Sequence, residues 1–155
     1  NGRKIMIEYM IEVDYERVIT IHLSVALFDT QFTVNDINEH DLFDDGNIET
    51  TEINHVEINF GRKFILFKEE LKKIKGIDSI DINRFEIVIF KGKLFNWIDI
   101  IHDIMHLLLC FYDAEDGKAK LIEFEIKKEA KKQIIKAKRE SFKNNFPKVY
   151  DINCT

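Results

Sequence analysis

Strict alternation of apolar and polar residues near the N-terminus constrains the fold more than any other feature of this sequence. One side of residues 4–13 carries Ile5, Ile7, Tyr9, Ile11 and Val13. The same period continues over residues 17–28, where one side carries Ile19, Ile21, Leu23, Val25 and Leu27. A period of two is typical of a half-buried strand. Because only residues 14–16 separate the two runs, a parallel crossover is excluded and an antiparallel hairpin is predicted.

The rest of the chain mixes strand and helix patterns. We predict a long loop over residues 29–50 and a strand over 51–60, followed by a helix from Phe64 to Ile74 with a stop at Gly76. A strand over 85–91 and a helix from Asn96 to about Tyr112 come next. The chain continues with a strand over 119–126 and a basic helix over 128–145 that ends before Pro147. The order is βββαβαβα. This order predicts an α+β fold, in which a mainly antiparallel sheet (the N-terminal hairpin plus the third strand) has two or three helices packed on one face. The last two units leave room for a parallel crossover.

The length and composition favour one globular domain over residues 1–155. A chain of 155 residues with 45% hydrophobic residues can bury a sizeable core without a disulfide or a metal. One proline and six glycines leave little material for a linker, so no domain boundary is expected. Residues 147–155, after the proline, are expected to form a short, flexible tail.

The two cysteines, Cys110 and Cys154, lie far apart in sequence, so neither a disulfide framework nor a four-cysteine zinc site is predicted. Cys110 falls in an apolar run and is interpreted as a small buried hydrophobe, which fits a reducing compartment. The apolar stretch 94–112 contains Asp99, His102, Asp103 and His106, which disfavour a membrane span. We therefore expect a cytoplasmic protein that needs no cofactor and has no membrane partner.

The charge is distributed unevenly along the chain, whose net charge is −5. Residues 18–61 contain nine carboxylates and no lysine or arginine, whereas residues 118–155 contain eleven lysines or arginines and five carboxylates. Such asymmetry indicates either that the two regions neutralise each other in the fold or that one of them faces a charged partner.

The first functional hypothesis is an acidic protein-binding module, immunity- or inhibitor-like, that neutralises a basic partner such as a bacterial toxin or nuclease. Carboxylates displayed from a loop and a strand edge attract a cationic protein quickly and can cover its active site. The analogy with immunity proteins is one of character, since no motif is shared. The residues expected to contact the partner are Asp36, Glu39, Asp41, Asp44, Asp45, Glu49 and Glu52.

The second hypothesis is a metal-dependent hydrolase. Asp99, His102, Asp103 and His106 follow helical spacing and form one polar stripe on an otherwise apolar helix. The string His-Asp-x-x-His is similar to the zincin motif His-Glu-x-x-His, but the shorter Asp103 stands where the general base would be. The alternative interpretation is a solvated edge of a packed helix.

The third hypothesis is a nuclease-like domain that uses Glu123, Glu125 and Lys127, with Asp113 or Asp116 as the upstream acid. Alternating glutamate and lysine is also common on a solvent-facing strand. The negative net charge makes nucleic acid an unlikely partner for the basic C-terminal helix. Taken together, the sequence favours a binding role over an enzymatic one.

Overall fold

The computed structural model describes residues 6–28, 61–112 and 117–152. These residues form six strands and four helices. In chain order they are β1 (Met6–Tyr15), β2 (Val18–Leu23), α1 (Gly61–Lys72), β3 (Ile77–Ile82), β4 (Glu86–Lys91), α2 (Trp97–Phe111), β5 (Gly117–Ile126), α3 (Lys128–Gln133), α4 (Lys136–Asn145) and β6 (Val149–Ile152).

The described strands form one mixed sheet in the order β3-β4-β2-β1-β5-β6. β1 and β2 form the antiparallel hairpin that the alternation predicts, with Val13 opposite Ile19. β1 also pairs with β5 in parallel, and the other described neighbours are antiparallel. The α+β class is therefore confirmed, and the sheet is mixed because a parallel pair lies near its centre.

The parallel pair follows from the connection through α2. β4 runs in the same direction as β1, because each is antiparallel to β2, and hence also in the same direction as β5. The chain from β4 through α2 to β5 is thus a crossover of the kind that a helix makes across a sheet. It places α2 over the sheet, where Ile100, Ile104 and Leu108 are buried.

We call the sheet face that carries the buried residues the inner face, and the opposite one the outer face. Ile7, Tyr9, Ile11 and Val13 of β1 lie on the inner face and are almost fully buried. Burial of each such side chain contributes about 1.5–3 kcal/mol relative to exposure. The strict alternation in the sequence is therefore explained by one face that carries the core.

An aromatic cluster joins α1 to α2 at one end of the core. The ring centroid of Phe111 lies 4.6 Å from that of Phe67 and 6.4 Å from that of Phe64. Phe28, which follows β2, meets Phe64 edge to face at 5.3 Å. The helix predicted from Phe64 to Ile74 is present as Gly61–Lys72, and Phe64 and Phe67 lie on its buried side.

The residues that begin and end α2 agree with the sequence prediction. The Asn96 side chain accepts a hydrogen bond of 3.0 Å from the Ile98 amide, as expected of an N-cap. Tyr112 ends the helix, and its hydroxyl donates to the Val25 carbonyl over 3.0 Å.

The structure differs from the sequence predictions after residue 76 and after residue 127. β3 and β6 were not predicted, and β6 lies inside the segment 147–155 that was interpreted as a tail. The basic helix is not continuous, because Ile134 and Ile135 have extended backbone angles that separate α3 from α4. Two consecutive β-branched residues favour such an extended link.

Cys110 also departs from the prediction. It is partly exposed and disulfide-bonded, so its interpretation as a simple buried hydrophobe is wrong. The chain's other cysteine, Cys154, lies outside the described residues. Because stable disulfides are typical of oxidising compartments, the cysteines no longer argue for a reducing one.

Two further predictions, the loop over 29–50 and the strand over 51–60, fall outside the described residues. Of the helices in the described part of the chain, none has the length and apolar character needed to cross a membrane.

Candidate functional site

The described helices leave the outer face of the sheet open. Phe142 of α4 packs on the inner-face residue Phe124, with ring centroids 5.1 Å apart, and α1 and α2 meet on the same side. On the outer face Glu8, Glu123 and Glu125 are exposed. Such a division into a packed face and a more solvated face is common where strands are antiparallel, and the exposed glutamates of β1 and β5 lie on the more solvated one.

The charged residues of the outer face are mostly acidic. The strand register places these carboxylates on it: Glu8, Glu12, Asp14, Asp81, Glu86, Glu123, Glu125 and Asp151. They outnumber the lysines on the same side, which are Lys118, Lys120 and, just beyond β5, Lys127. The described part of the chain therefore presents an acidic surface in addition to the acidic segment seen in the sequence.

His22 lies between two carboxylates near the middle of this face. Its Nε2 is 2.9 Å from Glu12 Oε1, and its Nδ1 is 3.4 Å from Glu86 Oε2. The other oxygen of Glu86 accepts a hydrogen bond of 2.6 Å from the Asn83 side chain. The two ring nitrogens of His22, which lies on β2, thus link a carboxylate of β1 to one of β4.

Lys127 extends the same network toward the end of β1. Its ammonium lies 3.2 Å from Glu12 Oε2 and 2.9 Å from Asp14 Oδ1. The Thr20 hydroxyl donates to the second oxygen of Asp14 over 2.6 Å. We call this set the outer-face network; its members are Glu12, Asp14, Thr20, His22, Glu86 and Lys127.

Contacts within the network favour the ionised forms of Glu12 and Lys127. The hydrogen bond from His22, with a smaller contribution from Lys127, lowers the pKa of the Glu12 carboxyl although partial burial opposes the change. Hydrogen bonds to Asp14 and Glu12 raise the pKa of Lys127 to about 12. A carboxylate with a lowered pKa is a poor general base at neutral pH, so this arrangement suits electrostatic recognition better than proton transfer.

The residues that we predict from the sequence to bind the partner lie outside the described part of the chain. They are Asp36, Glu39, Asp41, Asp44, Asp45, Glu49 and Glu52. Their role therefore stays a prediction.

The polar stripe of α2 is exposed at all four positions, Asp99, His102, Asp103 and His106. The last three line an open groove of about 440 Å³ between α2 and α1. Glu70 of α1 also lines it, but Lys73 engages that carboxylate at 3.0 Å. Within residues 6–28, 61–112 and 117–152, no group of three or more histidine, cysteine, aspartate or glutamate residues is arranged to hold a metal ion.

The structure places Glu123, Glu125 and Lys127 of the nuclease hypothesis on the outer face, but the Lys127 ammonium is engaged by carboxylates of β1. Glu123 and Glu125 lie on the outer face of β5, where Glu125 is the register partner of Glu12. Lys127 contacts Glu12 and Asp14 of the neighbouring strand, which the sequence pattern does not identify. Asp113 and Asp116, the expected upstream acids, lie outside the described residues.

Most of the outer-face network was not predicted, although the sequence contains part of the pattern that identifies it. Glu12 and His22 both occupy polar positions of the predicted hairpin, and its register places Thr20 opposite Glu12, with His22 two residues farther on. The partnership with Glu86 depends on the pairing of β2 with β4, which no local pattern encodes.

Comparison with known proteins identifies no function for this arrangement of residues. No protein-family model matches the chain, and searches of curated proteins and of solved structures find no match either. The function has therefore to be argued from the residues of the chain itself.

Proposed function

We propose that this protein is a binding module for a basic protein, immunity- or inhibitor-like, and that it neutralises a partner such as a bacterial toxin or nuclease. The main support is the acidic outer face, which the described helices leave open. The acidic segment that contains Asp36, Asp41 and Asp45 adds to the same charge.

A sheet face suits recognition because its side chains project from a backbone that hydrogen bonds hold in place. Little conformational entropy is lost when such preorganised carboxylates meet a cationic surface. Complementary charge also increases the rate of association and disfavours wrong partners. Glu123 and Glu125 are exposed and adjacent on one strand, so we assign them the first contacts with the partner.

The competing explanation, neutralisation of the acidic segment by the basic region, concerns residues outside those described; on the outer face itself, ion pairs within the chain neutralise part of the charge. Lys127, from the basic C-terminal region, pairs with Glu12 and Asp14 of β1. Lys118 likewise approaches Asp151 at 3.7 Å. The carboxylates of Glu8, Glu123 and Glu125 remain exposed on the outer face, and these are the charges available to a partner.

A matched pair of charge reversals tests the proposal. The variant Glu123→Lys with Glu125→Lys alters the outer face, and Glu69→Lys with Glu140→Lys makes the same charge change on exposed positions of α1 and α4. Proteins captured from the native host by the intact chain are identified, and the basic candidate is purified and titrated by calorimetry against all three forms.

We expect the outer-face variant to lose the partner and the helix variant to retain it, with melting temperatures that stay close to that of the parent chain. Affinity should fall steeply between about 50 and 300 mM salt, because screening of exposed charges increases over that range. Equal binding by both variants, or binding that is insensitive to salt, would contradict the proposal.

The reversal Asp41→Lys, Asp44→Lys and Asp45→Lys probes the acidic segment in the same assay. Loss of binding with an unchanged melting temperature supports a contact with the partner. A large loss of stability instead indicates that the segment neutralises basic residues within the chain.

A further inference from the structure

A second concave feature lies where the N-terminal end of α2 meets α4 and the turn between β1 and β2. The cavity has a volume of about 530 Å³ and opens to solvent. Its lining includes Glu16, Lys91, Trp97, Lys138 and Phe142. A volume of this size is within the range of sites for small organic molecules, about 300–1,000 Å³.

Lys91 is the unusual residue of this cavity, because it is a lysine at a core position. It ends β4 on the same side as Ile87 and Ile89, and only 7% of its surface is exposed. In the described part of the chain its ammonium has one acceptor, the Gly92 carbonyl at 3.4 Å, and lies 5.7 Å from the centre of the Trp97 ring. A buried ammonium with one long hydrogen bond is costly, and an anion in the cavity would offset that cost.

The other charges around the cavity are mostly positive. Lys93 and Lys138 line it, and Arg17 also disfavours the protonated form of Lys91. Glu16 is the carboxylate among the described lining residues and acts in the opposite direction. The N-terminal end of α2 adds a partial positive charge, because the helix dipole points its positive end toward this side.

The apolar part of the wall is held in place. The Trp97 indole donates a hydrogen bond of 2.8 Å to the Glu16 carbonyl, which fixes the ring beside Lys91. Phe95 packs on Gly76, where a Cβ atom would lie 2.8 Å from its ring. The site is therefore preformed, with aromatic walls and a buried cation at its inner end.

We infer that this cavity binds a small organic anion. Its carboxylate or phosphate group pairs with Lys91 and Lys138, and its apolar body packs against Trp97 and Phe142. This ligand site is separate from the outer face and does not depend on the proposed partner.

Trp97 is the single tryptophan of the chain, so its fluorescence reports on this cavity alone. The intact protein is titrated with octanoate, with octyl phosphate, with neutral octanol and with inorganic phosphate, while Trp97 emission is recorded. We expect octanoate or octyl phosphate to change the emission in a saturable way. Octanol and inorganic phosphate, each of which lacks one half of the ligand chemistry, should bind at least roughly tenfold more weakly. Equal binding of octanol and both anions would overturn the inference.

Variants separate binding from folding. Lys91→Met keeps most of the apolar stem of the side chain and removes the charge, and Lys138→Gln alters an exposed lining residue. Both should weaken binding of the anion by roughly tenfold or more, whereas Lys143→Gln, on α4 outside the lining, should leave it unchanged. If Lys91→Met and Lys138→Gln bind the anion as well as the parent chain does, the site is not the one described.

Discussion

His22 Nε2 lies 2.9 Å from Glu12 Oε1, and this contact contributes more than any other to the lowered pKa of Glu12. In the unfolded chain the contact is lost, so the folded pKa is below the unfolded one. The pair therefore stabilises the protein above the unfolded pKa, and that stabilisation disappears as pH falls through the folded pKa.

We expect His22→Gln to move the pKa of Glu12 back toward its ordinary value. Stability at neutral pH should fall by no more than about 1 kcal/mol, and the difference from the parent chain should vanish in acid. Carbon NMR titration of the Glu12 carboxyl and melting curves at several pH values measure both effects. His106→Gln on exposed α2 is the control, and an equal shift of the Glu12 pKa in that variant would contradict the assignment.

Buried Tyr9 and partly buried Tyr112 provide a matched test of hydrogen bonding. The Tyr112 hydroxyl donates to Val25, whereas the Tyr9 hydroxyl is buried and has no partner among the described residues. Tyr112→Phe should therefore cost about 1 kcal/mol, while Tyr9→Phe should be neutral or stabilising. Chemical denaturation of the two variants gives the comparison, and equal losses would show that the Tyr9 hydroxyl is satisfied.

Gly76 has a φ of 103°, a conformation that other residues rarely adopt. Gly76→Ala adds both this strain and a clash with Phe95, so a loss of about 1 kcal/mol or more is expected. Urea denaturation measures it, with Ser79→Ala as a control at an exposed strand position nearby. Unchanged stability would mean that the turn has another conformation.

Lys91→Met should stabilise the protein at neutral pH. Burial lowers the pKa of Lys91, so between its folded and unfolded values the unfolded chain binds more protons and the stability of the parent chain rises with pH. The advantage of the variant should therefore shrink as pH increases toward the unfolded pKa of about 10.5. Melting curves at neutral and alkaline pH check the trend, and Lys93→Met, at an exposed position, should show none.

The sequence predicts those parts of the fold that local patterns encode. The hairpin of β1 and β2, the N-cap at Asn96 and the helical segment around Phe67 all depend on neighbours within a few residues. β3 escaped prediction because a register shift between Ile77 and Ser79 breaks its alternation, and β6 because it is only four residues long.

The candidate surfaces depend on pairings between distant parts of the chain. Glu12 meets Lys127 only because β1 lies beside β5, and Trp97 meets the Glu16 carbonyl only because α2 begins beside the turn between β1 and β2. Neither contact leaves a periodic pattern in the sequence. The sequence therefore shows which residues are charged, but it does not show which of them share a surface.

The central position of β1 affects how the chain folds during its synthesis. β1 is synthesised well before β5, which is one of its two neighbours in the sheet. Until β5 is synthesised, one edge of β1 has no strand beside it, and unpaired edges favour association between chains. We therefore expect nascent chains that stop before Gly117 to aggregate or to require a chaperone, even though the hairpin of β1 and β2 can already form.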